Sequence, residues 1–182
     1  MNRLKTYTLT GIVFVAVVGS LAHFVYGWSG QNPLAAPFFP VNESTWEHMK
    51  LVFFPALAYG LIMQSRLKNE YPCISSAVPA GILAGTFSIP VLFYTYTGIL
   101  GFHTLILDIA VFILSVLITF AVIDTLTQSC RIHRGTGLYL AVLLTAAAFV
   151  LFSYNPPSMG LFAEPVNLSK KISEAFYPQS FR

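Results

Sequence analysis

Nine side chains with chemical capability fall within or beside stretches that are otherwise apolar: His23, Glu43, Ser44, Glu47, His48, Lys50, Tyr94, His103 and Asp108. Ser44 and His48 are four apart. On a helix they share a face, a spacing that suits a nucleophile and its base. Glu47, His48, His103 and Asp108 are of metal-ligand type. On helices, however, Glu47 and His48 point about 100° apart, and His103 and Asp108 about 140° apart. All four cannot converge on one ion, so no metal site is expected. Two histidines from different segments can hold a haem, a weaker reading with no further support. The chain has no H-E-x-x-H, no G-x-S-x-G and no phosphate loop. No catalytic residue is assigned, and no cofactor follows from the residues alone.

Each candidate has a plainer role. Ser44 and Glu47 form a capping box, with Ser44 as N-cap and Glu47 at N3 bonding back. Glu43 at a helix start suits the macrodipole. Lys50 can pair with Glu47 at i+3 or extend toward the interface. His23 and His103 fit as interfacial histidines. Asp124 fits as a solvated group or as a partner of Arg131. Asp108 resists such a reading, because it sits in the run Leu105-Ile106-Leu107-Asp108-Ile109-Ala110. A carboxylate there must find a partner, face a wet cavity or be protonated. The expected partner is span two, through His48, Lys50, Glu47 or a hydroxyl such as that of Tyr94.

What positions these groups follows from composition. Of 182 residues, 55% are hydrophobic, 15% aromatic and only 9% charged. Soluble domains carry about 25% charged residues, and disordered chains are polar and poor in aromatics. The composition indicates an all-α integral membrane bundle. A span needs roughly 20 apolar residues, and five stretches qualify, at about 7–28, 44–64, 73–94, 101–125 and 136–154. Residues 1–154 thus form a five-span domain. Residues 155–182 form an external tail in which Leu168, Ile172 and Phe176, beside Lys170, Lys171 and Glu174, predict a short amphipathic helix on the membrane surface. Span one also reads as a signal peptide with a small-x-small site at Ser20-Leu21-Ala22. Its apolar run continues to Trp28, longer than a usual signal core.

Orientation comes from Lys and Arg. Arg3 and Lys5, Arg66 and Lys68, and Arg131 and Arg134 occupy alternate ends of the spans, and the intervening loops at 29–43 and 95–100 have neither. The positive-inside rule places the N-terminus in the cytoplasm and the C-terminus outside. Lys170, Lys171 and Arg182 in the tail run against it. At about 1.5 Å per residue, His23 lies roughly 7 Å inside the outer end of span one, and Asp108 about 12 Å below the start of span four. Every candidate except Asp124 then falls in the outer half, as one polar layer fed by three spans. Trp28, Trp46, Tyr94 and Tyr96 fall at outer boundaries, as an aromatic belt does.

Other marks complete the reading. Gly81-x-x-x-Gly85, extended by Ser88, forms a small-residue face suited to a helix partner. Pro90 frees the carbonyl of Thr86 and bends the outer end of span three. Cys73 and Cys130 lie far apart in sequence and at cytoplasmic ends, where thiols stay reduced, so no disulfide is expected. The formal charge of +3 comes from scattered pairs at helix ends, and no nucleic-acid partner is expected.

Two strings carry a resemblance: Pro40-Val41-Asn42-Glu43-Ser44-Thr45-Trp46-Glu47-His48, and Phe93-Tyr94-Thr95-Tyr96-Thr97-Gly98-Ile99-Leu100-Gly101 with Asp108 following. They resemble an uncharacterised family of small bacterial membrane proteins, a domain of unknown function with about five spans. The resemblance runs from near His23 to Pro156-Pro157. It implies a bacterial inner-membrane location and no particular chemistry. The chain does not match intramembrane hydrolases of the ceramidase type, which have more spans and more histidines. Three functions fit the sequence. The leading one is a protein binding or transporting a small polar or lipid-headgroup ligand at an outward-facing pocket. The others are a hydrolase or transferase built on the same layer, and a non-catalytic subunit docking another protein through Gly81 and Gly85.

Overall fold

A computed structural model describes residues 2–132 and 135–165. It is helical, with α1 (Arg3–Trp28), α2 (Thr45–Leu67), α3 (Ile74–Leu100), α4 (Leu105–Ser129) and α5 (Thr136–Tyr154), then a 3₁₀ turn at Gly160–Phe162. The expected tail helix at Leu168, Ile172 and Phe176 lies outside the described residues.

Four of these helices, α1, α3, α4 and α5, are long and apolar enough to cross a membrane. Each turns apolar side chains outward. On α1, Leu9, Val13, Val17 and Leu21 recur every four residues and are exposed, and Leu105, Ile109 and Ile113 do the same on α4. A helix apolar all round is distinguished on its inner face by size rather than polarity. The buried residues of α1 are Leu4, Gly11, Val15, Gly19 and Ala22.

The remaining helix, α2, carries Glu47, Lys50 and Arg66 and a central proline, Pro55. It is also the core of the bundle. Met49, Val52, Phe53, Ala56, Tyr59 and Met63 are buried along it, packed by α1, α3 and α4. On the α5 side, the ring of Phe149 lies 5.2 Å from Phe53 and 4.7 Å from Trp46. Trp46 is therefore an interior anchor, also 5.0 Å from Phe162 of the 3₁₀ turn, and not the interfacial belt residue expected of it. Trp28 is exposed at the end of α1, and Tyr94 is exposed within α3, six residues before its end.

The closest helix pair is α3 with α4. A Cβ at Gly81 would collide with Ile123 and with the Thr119 carbonyl, and one at Gly85 with Thr119 and, at 2.8 Å, with the Ser115 carbonyl. Ser88 Oγ donates to Ser115 Oγ across the same seam at 2.8 Å. The small-residue face expected to receive an outside partner is thus filled by α4 of the same chain. Close approach through small residues is what this motif achieves, and sequence alone did not say which helix approaches.

That seam also brings the start of α3 to the end of α4. Cys73 and Cys130 are joined there as a disulfide, with Cα atoms 5.3 Å apart. The expectation of two separate thiols is corrected. A separation of 57 residues hides a contact that antiparallel packing makes.

Two boundaries differ from expectation with consequences for the site. α3 continues through Pro90 and past Tyr94 to Leu100, where Gly101 ends it with φ +77°, a left-handed conformation natural to glycine. α4 starts only at Leu105, because Thr104 is its N-cap and accepts from Leu107 N. His103 therefore sits in the connection, and Asp108 sits in the first turn of α4 rather than deep within it.

Candidate functional site

The expected polar layer separates into three clusters at one end of the bundle. The opposite end carries Arg3, Lys5, Arg66, Lys68 and Arg131, with Arg3 Nη1 2.9 Å from Glu70 Oε2. Near it Gln128 Nε2 donates to Asp124 Oδ2 at 2.6 Å, so Asp124 pairs with Gln128, its neighbour one turn on, rather than with Arg131.

The first cluster is buried and self-satisfied. Ser44 is the N-cap of α2 as expected, its hydroxyl accepting from Glu47 N at 3.4 Å. The reciprocal half of the capping box is not made. Asn42 Oδ1 instead accepts from Ser44 N at 2.9 Å. Glu47 reaches further back, accepting from Val41 N at 2.9 Å and from Lys50 Nζ at 2.7 Å. Lys50 is fully buried and Glu47 is 2% exposed. The other donors of Lys50 go to the Ala36 carbonyl at 2.8 Å and Ser153 Oγ at 2.6 Å. All three ammonium protons have acceptors, which a buried lysine requires. Lys50 thus fastens the loop at 29–44 and the end of α5 to α2. The Tyr154 hydroxyl adds a bond to the Pro33 carbonyl at 2.8 Å. Ser153 and Ala36 were not legible as partners, since neither type nor spacing marks them.

The second cluster closes the α3–α4 turn. Asp108 accepts from the Tyr96 hydroxyl and lies 3.1 Å from His103 Nδ1. No described hydrogen bond or ion pair joins Asp108 to α2. Its expected partnership with His48, Lys50 or Glu47 is corrected, because Gly101 and Thr104 turn the chain so that α3 and the connection supply its partners. From the sequence, Tyr96 reads only as an interfacial aromatic. The hydroxyl of Tyr94 donates instead to the Gly160 carbonyl at 3.1 Å. A shallow pocket of about 170 Å³ adjoins His103, lined also by Phe93, Thr97, Phe102 and Pro165.

The third cluster is drawn from three separate segments. His23 comes from α1, Glu43 from the end of the loop and His48 from the first turn of α2. Glu43 lies between the two imidazoles, with Oε1 3.6 Å from His23 Nε2 and Oε2 3.4 Å from His48 Nε2. The two rings are 5.3 Å apart. His48 Nδ1 is 2.9 Å from the Ser44 carbonyl. A carbonyl only accepts, so Nδ1 carries a proton and Nε2 is left to face Glu43. The histidine side chains are about one-third exposed and Glu43 is 65% exposed, so the cluster is on the rim and reachable.

What sets this geometry is lower in the two helices. Pro55 has no N–H, so the Leu51 carbonyl one turn before it has no helical donor. α1 meets that carbonyl with Gly19, where an added Cβ would lie 2.5 Å from the Leu51 oxygen. Gly19 is one turn before His23 and Leu51 is three residues after His48, so this close approach brings the two histidines together.

The Ser44 hydroxyl is engaged as the cap and buried, and His48 addresses the Ser44 carbonyl rather than its Oγ. The pair therefore lacks the hydrogen bond that a nucleophile and its base need.

A family model matches residues 1–171 of the chain. The chain belongs to DUF6512, a family of unknown function. No curated protein and no solved structure matches it. The family assignment supports the resemblance drawn from the sequence at the level of an uncharacterised family, and it supplies no chemistry for the three clusters.

Proposed function

We propose that this is a multi-pass protein of the bacterial inner membrane that binds a small polar ligand at its outward end through His23, Glu43 and His48. In this reading α2 is a fifth crossing. Its 23 residues span about 35 Å at 1.5 Å each, with Glu47 and Lys50 buried against its neighbours and Arg66 in its last turn. The basic end faces the cytoplasm by the positive-inside rule. The loop at 29–44, the α3–α4 turn and the tail then face outward. The ligand is a small polar solute or a lipid headgroup presented at the same level.

One observation carries this reading. Three ionisable side chains from α1, the loop and α2 converge at a reachable rim, 3.4 and 3.6 Å apart. The other charged groups of the layer are already paired. Lys50 and Glu47 satisfy each other, and Asp108 is held by Tyr96 and His103. The engaged Ser44 hydroxyl disfavours the hydrolase alternative, and α4 on Gly81 and Gly85 disfavours a subunit docking there.

Binding is tested with the purified full chain in lipid nanodiscs. Glycerol phosphate, phosphoethanolamine and zinc ion are added separately while the thermal midpoint is followed. At least one should raise the midpoint of the wild type and fail to raise that of a His23→Ala/His48→Ala double variant. No rise with any of the three contradicts the reading. An impermeant maleimide should label a Glu43→Cys variant in intact cells; labelling only after lysis would place the site on the other side.

A further inference from the structure

Resting on the reading of His23, Glu43 and His48 as a binding site, we propose that its ligand is a divalent transition-metal ion of the zinc class, held by two imidazole nitrogens and one carboxylate.

The donor set comes first. Two histidines and one glutamate are nitrogen and oxygen ligands of intermediate softness, a combination that binds zinc with a fourth position left open. Their ligand atoms all lie within 4.8 Å of one another.

The separations are the second argument. A charge-assisted hydrogen bond between imidazolium and carboxylate runs about 2.7–2.9 Å. The two distances here are 3.4 and 3.6 Å, at ion-pair range but longer than that. Two ligands each about 2.0–2.1 Å from a tetrahedral ion stand roughly 3.3–3.4 Å apart. The His48 and His23 contacts use different oxygens of Glu43; with one ligand atom from each residue the three donors stand within 4.8 Å of one another, so they must draw in by up to about 1.5 Å to meet that value.

The third argument is orientation. Metal-bound histidines donate the other ring nitrogen to a carbonyl or carboxylate, which fixes the tautomer and raises ligand basicity. His48 does so through Nδ1 to the Ser44 carbonyl at 2.9 Å. Its Nε2 then faces a Glu43 oxygen. In the neutral tautomer a cation between the nitrogen and the oxygen satisfies both. Lys50, a neighbouring cation on α2, has its three protons placed on Glu47, Ala36 and Ser153 and does not serve.

The segments are held independently of the ion. Gly19 against Leu51 sets α1 against α2, Asn42 caps the backbone after Glu43, and Ser44 fixes the start of α2. Glu43 sits on a loop and is largely exposed, so it can move toward the ion when it arrives. The exposed rim leaves the fourth position to water or to an anionic solute.

The test uses the untagged full chain in nanodiscs, titrated with zinc chloride by calorimetry and separately with glycerol phosphate. The expected result is one zinc per chain. Affinity should fall at least about tenfold in each of His23→Ala, His48→Gln and Glu43→Gln, the scale on which even outer partners of a metal site act. Metal-free thermal midpoints of the variants near that of the wild type confirm that they fold. Cobalt bound in place of zinc should show the visible absorption of a four-coordinate ion, lost in His48→Gln. Zinc binding that is absent, or unchanged in all three variants, overturns the metal assignment. If glycerol phosphate then still binds in a His23- and His48-dependent way, the site stands with a different ligand. If neither binds, both readings fail.

Discussion

Gly19 of α1 lies directly against the backbone carbonyl of Leu51 in α2, the carbonyl that Pro55 deprives of its helical donor. A proline in one helix and a glycine in another thus meet at a single point. One turn beyond it, His23 and His48 face Glu43.

Gly19→Ala tests this dependence. Its Cβ would meet backbone at 2.5 Å, which no side-chain rotation relieves. The variant should lose about 1–3 kcal/mol of stability, the usual range for overpacking, and should weaken ligand binding at His23 without touching a ligating residue. Thermal unfolding and zinc titration in nanodiscs read the two effects. A variant with wild-type stability and affinity would show that the helices are held apart from this contact.

The buried Lys50–Glu47 pair should behave as a structural joint. Removing one partner leaves a charge without a counterion in a site 0–2% exposed, and such changes cost about 3–5 kcal/mol. Lys50→Met should therefore destabilise strongly, while Lys50→Met with Glu47→Leu should recover most of the loss. Denaturant unfolding in detergent measures both. A single variant as stable as the wild type would mean that the loop at 29–44 is fastened elsewhere.

The sequence made the helices legible because spans are long and apolar, and because caps act locally. Ser44 starts α2 where its spacing from Glu47 said it would. It made the clusters less legible for reasons of distance. Leu105 to Ala110 reads as continuous apolar helix and so puts Asp108 deep in a span, whereas Gly101 and Thr104 end one helix and start the next. Tyr96 reaches Asp108 only because of that turn. Cys73 and Cys130 meet only because Gly81 and Gly85 let α4 lie against α3, and the small-residue motif does not name its partner. His23, Glu43 and His48 were all recognised as candidates, but their convergence depends on Gly19 and Pro55, which carry no chemistry themselves.

The turn between α3 and α4 should be stabilised by Asp108 independently of ligand binding. Tyr96→Phe removes a hydrogen bond to a charged group, a loss of about 1.5–3 kcal/mol, and Asp108→Asn should lose less because it keeps an acceptor for Tyr96. Neither should change zinc affinity at the His23 cluster. A parallel loss of affinity in Asp108→Asn would show that the two clusters act as one site.

The Cys73–Cys130 bridge reports on sidedness. With the basic end in the cytoplasm, cells rapidly quenched with acid and alkylated should yield both cysteines as free thiols, because that compartment keeps thiols reduced. The bridge, with Cα atoms 5.3 Å apart, would in that case close only once the chain meets oxidising conditions. A protein already bridged in the quenched cells would put that end in an oxidising compartment and reverse the proposed orientation.

X-ray absorption at the zinc edge of the one-to-one complex tests the central claim most directly. Ligation by His23, Glu43 and His48 predicts a first shell of nitrogen and oxygen only, at about 2.0–2.1 Å, with the multiple-scattering pattern of two imidazoles that falls to one in His48→Gln. A shell without imidazole would remove the metal from His23 and His48 and contradict the account.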